Sequence, residues 1–175
     1  MEINRSILND YHLAREYEWI ETNGLGGYSN STIICCNEQR YHALLVAAVQ
    51  PPAERLSLVS KLDETIISGD NRFELGVNNY GDTIHPNGNQ YLFSFTKVLY
   101  PEFIYEANGI RLKKTVTMIH GENTVVVIYE VLSAGSGFIL QLLPLFSVRN
   151  YHALAQANEQ VNTSGNYAHD VFSLL

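Results

Sequence analysis

Very short connections separate the apolar segments in the second half of the sequence. Residues 103–106 and 110–112 flank Ala107-Asn108-Gly109, and the next apolar segments are joined through turn formers at 121–123 and 135–137. Parallel strands need a crossover of about a dozen residues or more, so these segments can pair only as antiparallel neighbours. The sequence therefore predicts at least three successive antiparallel strands over residues 103–148.

Residue patterns within these segments indicate strands. Ile110, Leu112, Val116 and Met118 recur at alternate positions, and only Lys114 interrupts this apolar face. Residues 124–132 are mostly β-branched and apolar, which predicts a central strand buried on both faces. Long helical periodicity is missing, and residues 1–17 are expected to form a short helix or an irregular arm. We therefore predict an all-β fold, a large antiparallel β-sandwich with few or no long helices, as a single domain over residues 1–175.

Composition excludes several classes of protein. Apolar residues make up 46% of the 175 positions and charged residues 17%, which is the balance of a folded domain and not of a disordered chain. The formal net charge of −7 disfavours nucleic acid as a partner, because phosphate binding needs clustered lysine and arginine. A neutral ligand such as a sugar is compatible with this charge.

Cellular location is predicted from the N-terminus and the cysteines. The N-terminal sequence lacks the basic flank and continuous apolar core of a signal peptide, and no segment reaches the roughly 20 apolar residues that span a bilayer. Cys35 and Cys36 are adjacent on a predicted strand, so they are expected to point to opposite faces, and a mutual disulfide would be strained. These features predict a cytoplasmic protein with no membrane partner.

A glycine cluster at Gly24, Gly26 and Gly27 predicts a tight structural turn, because glycine tolerates positive φ and close backbone approach. The spacing matches neither the dinucleotide-binding nor the phosphate-loop motif, and no lysine follows it. Residues 28–36 are rich in Ser, Thr and Ile and are expected to form the next strand. Nucleotide binding is therefore not expected.

A polar trio begins the strand that is predicted to follow. Arg40 and His42 would share one face of that strand with Leu44, while Tyr41 would lie on the other face. Arginine and histidine donors at the start of an apolar strand can line a pocket at the rim of a sheet. Alternatively they satisfy buried backbone carbonyls or pair with a carboxylate, as most side-chain hydrogen bonds do.

A second polar cluster, residues 149–152, follows the strand predicted over residues 138–148. Antiparallel neighbours place the start of one strand beside the end of the next, so the two clusters are expected to converge. Grouped guanidinium, imidazole and phenol groups suit a sugar, because donors reach the hydroxyls while aromatic faces cover the ring. The candidate substrate-binding residues are Arg40, Tyr41, His42, Arg149, Tyr151 and His152. The alternative is a purely structural or interdomain role.

Several short motifs occur together in one order. They are Glu18-Trp19, residues 22–28 (TNGLGGY), 40–47 (RYHALLVA), 60–65 (SKLDET), 101–103 (PEF), 121–124 (GENT) and 149–154 (RNYHAL). In this order they resemble the N-terminal domain of bacterial and archaeal glycogen debranching enzymes of the amylo-α-1,6-glucosidase type. Two positions depart from the family pattern: Ala43 stands in place of glycine, and Asn150 in place of aspartate.

The resemblance implies a division of labour. In that family a large N-terminal β-sandwich precedes a helical (α/α)6 barrel, which carries the catalytic acids and is not in this chain. The implied partners are the C-terminal barrel and an α-glucan such as glycogen. The chain alone is then expected to be inactive and to have no catalytic residues. An independent carbohydrate-binding module and a purely structural scaffold are the alternatives.

Other chemistry has little support in the sequence. Glycosidic hydrolysis needs a pair of carboxyl groups across the scissile bond. No such pair stands out among the candidates, which are Glu18, Glu21, Asp63, Glu64, Glu102 and Glu122. The histidines lack the close spacing of a ligand set and no C-x-x-C pair occurs, so neither a metal nor another cofactor is expected.

Overall fold

The computed structural model describes residues 1–51, 53–154 and 164–174. Strands of 2 to 15 residues, two one-turn α-helices and a 3-10 helix (Gly88–Tyr91) make up the regular structure of these residues. The helices are α1 (Arg5–Leu8) and α2 (Tyr11–Ala14). The strands are β1 (Glu2–Ile3), β2 (Glu18–Thr22), β3 (Tyr28–Thr32), β4 (Ala43–Gln50), β5 (Glu54–Ser68), β6 (Asn71–Glu74), β7 (Val77–Asn79), β8 (Ile84–Asn87), β9 (Leu92–Lys97), β10 (Pro101–Ala107), β11 (Ile110–Met118), β12 (Val125–Ser133), β13 (Ile139–Asn150), β14 (Gly165–Ala168) and β15 (Val171–Leu174).

Two antiparallel sheets pack as a sandwich. Sheet A has the strand order β1-β9-β10-β11-β12, and sheet B has the order β13-β5-β4-β3-β2 with β6 paired to the end of β5. Two further ribbons, β7–β8 and β14–β15, are also antiparallel. The prediction of an all-β antiparallel sandwich without long helices is confirmed for the described residues.

The turn between β10 and β11 follows the predicted hairpin. Ala107 pairs with Ile110, and the two turn residues Asn108 and Gly109 both have positive φ, at 50° and 75°. This is the backbone twist that two-residue hairpins favour. Along β11 every second side chain is buried, as the alternation predicts, and Lys114 is buried with them.

Aromatic side chains of both sheets fill the centre of the sandwich. Trp19 of β2 meets Phe103 of β10 edge-on, with ring centroids 6.0 Å apart, and Phe95 of β9 lies 5.1 Å from Phe103. The indole N–H of Trp19 donates to the carbonyl of Thr32 at 3.1 Å, so the buried ring leaves no donor unpaired. These contacts hold sheet A over sheet B.

The strand predicted over residues 28–36 is too long. β3 ends at Thr32, where the carbonyl accepts from the amide of Cys35 and the hydroxyl accepts from the amide of Cys36. These bonds form a turn in which Cys35 has a φ of 55°. Both thiols are free and buried beside this turn, so the prediction that they occupy opposite faces of a strand is wrong.

The strand predicted to begin at Arg40 begins instead at Ala43. A hydrogen bond of 3.0 Å from the amide of His42 to the carbonyl of Gln39 closes a turn that contains Arg40 and Tyr41. The alternation of faces predicted for residues 40–42 is therefore wrong, because it applies only to an extended backbone.

Residues 124–132 do not form a central strand. β12 is the edge of sheet A among the described strands, and Ile128 and Val131 are 51% and 54% exposed. β13 is likewise the edge of sheet B and exposes Ile139 and Leu143. The strong apolar character of residues 124–132 was interpreted as burial, whereas in β12, as in β13, apolar side chains are exposed at the edge of a sheet.

Candidate functional site

The glycine cluster forms the turn between β2 and β3. Gly24 and Gly26 have φ values of 80° and 94°, which side chains with a Cβ rarely adopt. The side-chain oxygen of Asn23 accepts from the amides of Leu25 and Gly27, at 2.9 Å in both cases. The three predicted turn glycines thus lie around one buried asparagine.

This turn is bound to the connection between β11 and β12. The Asn23 amide donates to the carbonyl of Glu122 at 2.8 Å and to the side chain of Asn123 at 3.1 Å. Asn123 in turn donates to the carbonyl of Ala48 at 2.8 Å and accepts from its amide at 2.9 Å. One side-chain amide therefore pairs with the β4 backbone as a neighbouring strand would, and it links the two sheets at this end.

Four of the predicted site residues, three of them with aromatic rings, lie together at the surface at one end of sheet B. We call this surface the Arg–Tyr–His cluster, and it consists of Arg40, Tyr41, Tyr151 and His152 together with Arg149 behind them. The Tyr41 ring lies 5.7 Å from that of Tyr151 and 5.8 Å from that of His152. The Tyr41 hydroxyl is 3.3 Å from Nδ1 of His152, and Arg40 donates to the His152 carbonyl at 3.2 Å. The two polar segments of the sequence do converge here.

Arg149 holds this cluster together from within. Its guanidinium donates to the carbonyls of Asn150, Tyr151, Ala153 and Arg40, the third of these at 2.7 Å. Because these bonds use its donors on backbone, Arg149 fixes the shape of the cluster. The groups that remain for a ligand are the rings and the guanidinium of Arg40.

His42 does not join the cluster. It is 2% exposed, and its Nδ1 accepts from the amide of Glu38 at 3.0 Å. Nε2 lies 3.1 Å from the carboxylate of Glu18, without the alignment of a hydrogen bond. Burial lowers the pKa of His42 against the opposing effect of Glu18, and an accepting Nδ1 requires the neutral ring. His42 is therefore buried apart from the exposed rings, and its contacts are those of the structural role that was the alternative to ligand binding.

The main polar group between the sheets was not predicted. Lys114 and Glu64 are 3% and 2% exposed, and their charged atoms lie 2.6 Å apart. The Tyr129 hydroxyl donates to the same carboxylate oxygen at 2.6 Å. Burial alone lowers the pKa of Lys114, but its neighbours Cys35 and Glu64 raise it well above the usual value, so the lysine is charged. The signal in the sequence was the lysine in the apolar alternation of β11.

Other reactive groups in the described parts of the chain have structural partners. The carboxylates named from the sequence contact nearby polar groups: Glu18 with His42, Glu21 with Lys97, Asp63 with Lys61, Glu64 with Lys114, Glu102 with Thr96 and Glu122 with Thr124. Burial raises the pKa of both thiols, that of Cys36 to about 12. Neither cysteine is therefore a ready nucleophile.

The described residues contain neither a cluster of metal ligands nor a helix that could span a membrane. Within residues 1–51, 53–154 and 164–174, no three histidine, cysteine or acidic side chains are grouped so that they could hold a metal ion. No helix in these ranges is long and apolar enough to cross a membrane.

Comparison with known proteins gives the family. Neither curated proteins nor solved structures gave a match. The family model described as glycogen debranching enzyme N terminal matches residues 17–173, which include the glycine turn, both halves of the Arg–Tyr–His cluster and the Lys114–Glu64 pair. The chain therefore belongs to the family of N-terminal domains of glycogen debranching enzymes.

Proposed function

We propose that this chain is the non-catalytic N-terminal domain of a cytoplasmic debranching enzyme of the amylo-α-1,6-glucosidase type. It packs on a C-terminal (α/α)6 barrel that hydrolyses the α-1,6 branch linkages of glycogen, and the Arg–Tyr–His cluster helps to shape the glucan site. In this proposal the barrel cleaves the glycosidic bond, and the sandwich helps to bind the glucan.

The observation that carries the proposal is the exposed cluster of rings. Tyr41 is 38% exposed beside the exposed His152, and Arg40 lies 5.9 Å above the Tyr41 ring. A sugar ring presents an apolar face to aromatic side chains and hydroxyls to hydrogen-bonding groups. Because Arg149 already holds this arrangement in place, a glucan would bind a preformed surface.

Exposed apolar side chains support the docking part of the proposal. Along β12 and β13, Val131, Ile139, Leu143 and Val148 are each more than half exposed. Several large apolar side chains exposed along one strand favour contact with another protein surface over contact with water. Membership of this family supports the presence of further domains in a larger enzyme, and the barrel is the partner that we propose for this surface.

Glycogen cosedimentation tests the glucan part. The chain is mixed with its barrel, and the bound fraction is measured for the wild type, for Tyr41→Ala and for Tyr100→Ala as a matched control. Tyr100 is 41% exposed in the turn between β9 and β10 of sheet A, whereas the cluster belongs to sheet B. Loss of one aromatic contact is expected to weaken binding by about fivefold in Tyr41→Ala and not in the control. Equal binding by all three proteins would contradict a role for the cluster.

Cosedimentation with and without the barrel, together with a test of complex formation, distinguishes our proposal from a binding module and from a structural scaffold. An independent carbohydrate-binding module would retain its glycogen affinity when the barrel is omitted. A structural scaffold would show no affinity under either condition, but the barrel would bind it and raise its unfolding temperature. Our proposal expects weak binding alone, stronger binding with the barrel and a stable complex in size-exclusion chromatography. Absence of that complex would contradict the docking part.

A further inference from the structure

A polar cleft lies at the other end of the β5–β13 pair from the Arg–Tyr–His cluster. It has a volume of about 280 Å³ and is bounded by the β5–β6 hairpin, the β7–β8 ribbon and β13. Along β5, Ser57 pairs with Arg149 of the cluster and Asp63 pairs with Leu143 at the cleft. Six residues of strand correspond to about 20 Å, so the two sites are separate.

The floor of the cleft is held in one arrangement. Asn78 donates to Oδ2 of Asp63 at 2.9 Å, and the Lys61 ammonium donates to the Asn78 oxygen at 2.8 Å. The same ammonium lies 2.9 Å from Oδ1 of Asp63. Gly76 allows this close packing, because a Cβ there would lie only 2.5 Å from Oδ1. Asp63 and Asn78 are therefore preorganised, which is what a specific polar site requires.

The walls offer both donors and acceptors. Arg72 of β6 donates to the side-chain oxygen of Gln141 at 2.9 Å, which leaves the amide donors of Gln141 and further guanidinium N–H groups available. Glu74 supplies an exposed carboxylate in the same cleft. Tyr80 also lines the cleft and is 71% exposed, so its ring provides an apolar face next to the polar floor.

This chemistry selects the class of ligand. Asp63 is paired with Lys61, and the charges of Arg72 and Glu74 in the cleft are opposite, so the lining favours neither anions nor cations. No three histidine, cysteine or acidic side chains in the described ranges are placed to hold a metal ion. The volume is slightly below the range of pockets for drug-sized ligands, so it suits one small ring. A neutral molecule with several hydroxyls satisfies the donors and acceptors together, and its apolar face can cover the ring of Tyr80.

We propose that this cleft is a second saccharide subsite, which binds one hexose unit of an α-glucan at a distance from the Arg–Tyr–His cluster. The inference rests on the proposed function for the identity of the glucan. It goes beyond that function because the subsite requires neither the barrel nor the cluster. Such a site would hold a glucan branch while another part of the same molecule occupies the catalytic domain.

Maltotriose titration of the isotope-labelled 175-residue chain tests the proposal by NMR. Maltotriose is expected to shift the amide resonances of Asp63, Arg72, Asn78 and Gln141, and Tyr80→Ala is expected to weaken this binding by about fivefold. The matched control Tyr100→Ala should bind as the wild type does. Unchanged dispersion of the remaining resonances verifies that each variant is folded.

The same titration distinguishes failure of this inference from failure of the proposed function. Tyr41→Ala should leave the cleft shifts unchanged while it reduces glycogen cosedimentation with the barrel. If maltotriose shifts only resonances near Tyr41, the cleft proposal is overturned and the proposed function stands. Absence of any shift in the cleft, or shifts produced by Ca²⁺ and not by maltotriose, overturns it as well. Cleft shifts that Tyr80→Ala weakens, together with unaltered cosedimentation in Tyr41→Ala, support the subsite and contradict the role of the cluster.

Discussion

Removal of Lys114 alone should destabilise this domain far more than removal of the charge pair to which it belongs. Lys114 and Glu64 come from opposite sheets, are almost completely buried and lie 2.6 Å apart. In Lys114→Met the carboxylate of Glu64 stays buried with only the Tyr129 hydroxyl as a partner. In the double variant Lys114→Met/Glu64→Gln no charge remains, and the Gln oxygen still accepts from Tyr129.

The expected magnitudes follow from two opposing effects. At an effective dielectric constant of about 20, charges at this separation attract each other by about 6 kcal/mol, while removal of both ions from water costs several kcal/mol each. The pair is therefore nearly neutral for stability, but a single unpaired buried charge costs about 3–5 kcal/mol. Lys114→Met should lose that amount, and the double variant should recover about 2 kcal/mol or more of it.

Urea denaturation monitored by fluorescence measures this difference, because the sole tryptophan, Trp19, is buried in the same core. Lys113→Met is the matched control, since Lys113 is the adjacent residue on the opposite face of β11 and pairs with Glu130 at the surface. Its urea midpoint should stay close to that of the wild type. A Lys114→Met midpoint as high as that of the control, or additive effects in the double variant, would refute the reasoning.

Three further predictions concern other parts of the fold. His42 has a lowered pKa when folded, so the unfolded state binds more protons below about pH 6.5. The urea midpoint should therefore fall as the pH decreases from 7.5 to 5.5. It should fall less steeply in His42→Gln, whose amide oxygen can still accept from the Glu38 amide. Equal slopes in the two proteins would contradict this assignment. Gly26→Ala forces a Cβ onto a φ of 94° and should cost about 1–2 kcal/mol in urea unfolding, whereas Gly135→Ala, which meets no atom within 4 Å, should cost little. Asn123→Ala leaves two buried groups of the β4 backbone unpaired and should lower stability by about 2–3 kcal/mol in the same assay, and a smaller loss would mean that water replaces the side chain.

Local turn chemistry made most of the sandwich predictable. Asn108-Gly109 adopts positive φ at both positions, and the alternation of residues 110–118 gives the correct buried face of β11. The polar turn at residues 68–71 likewise joins β5 to β6. These features depend on neighbours in the sequence, so the sequence alone contains the information.

Errors arose where contacts distant in the sequence decide the outcome. The apolar character of β12 is the same at an edge as in the centre of a sheet, and only the order of strands distinguishes the two. His42 was expected to lie beside Arg40 on one face of a strand, because its contact with Glu18 of β2 cannot be found from the spacing of residues. Lys114 was identified as an exception, but its partner Glu64 lies 50 residues earlier and could not be found from spacing.

The hydrogen bond between Asn23 and Asn123 has a consequence for the comparison of related sequences. The segments TNGLGGY and GENT are 100 positions apart in the sequence, as counted from Asn23 to Asn123. The side chains of these two asparagines are hydrogen-bonded, and together they connect the two sheets. A related chain that retains only one of the two segments cannot form this connection between the sheets. The two segments are therefore best scored as one bipartite signature when new members are compared.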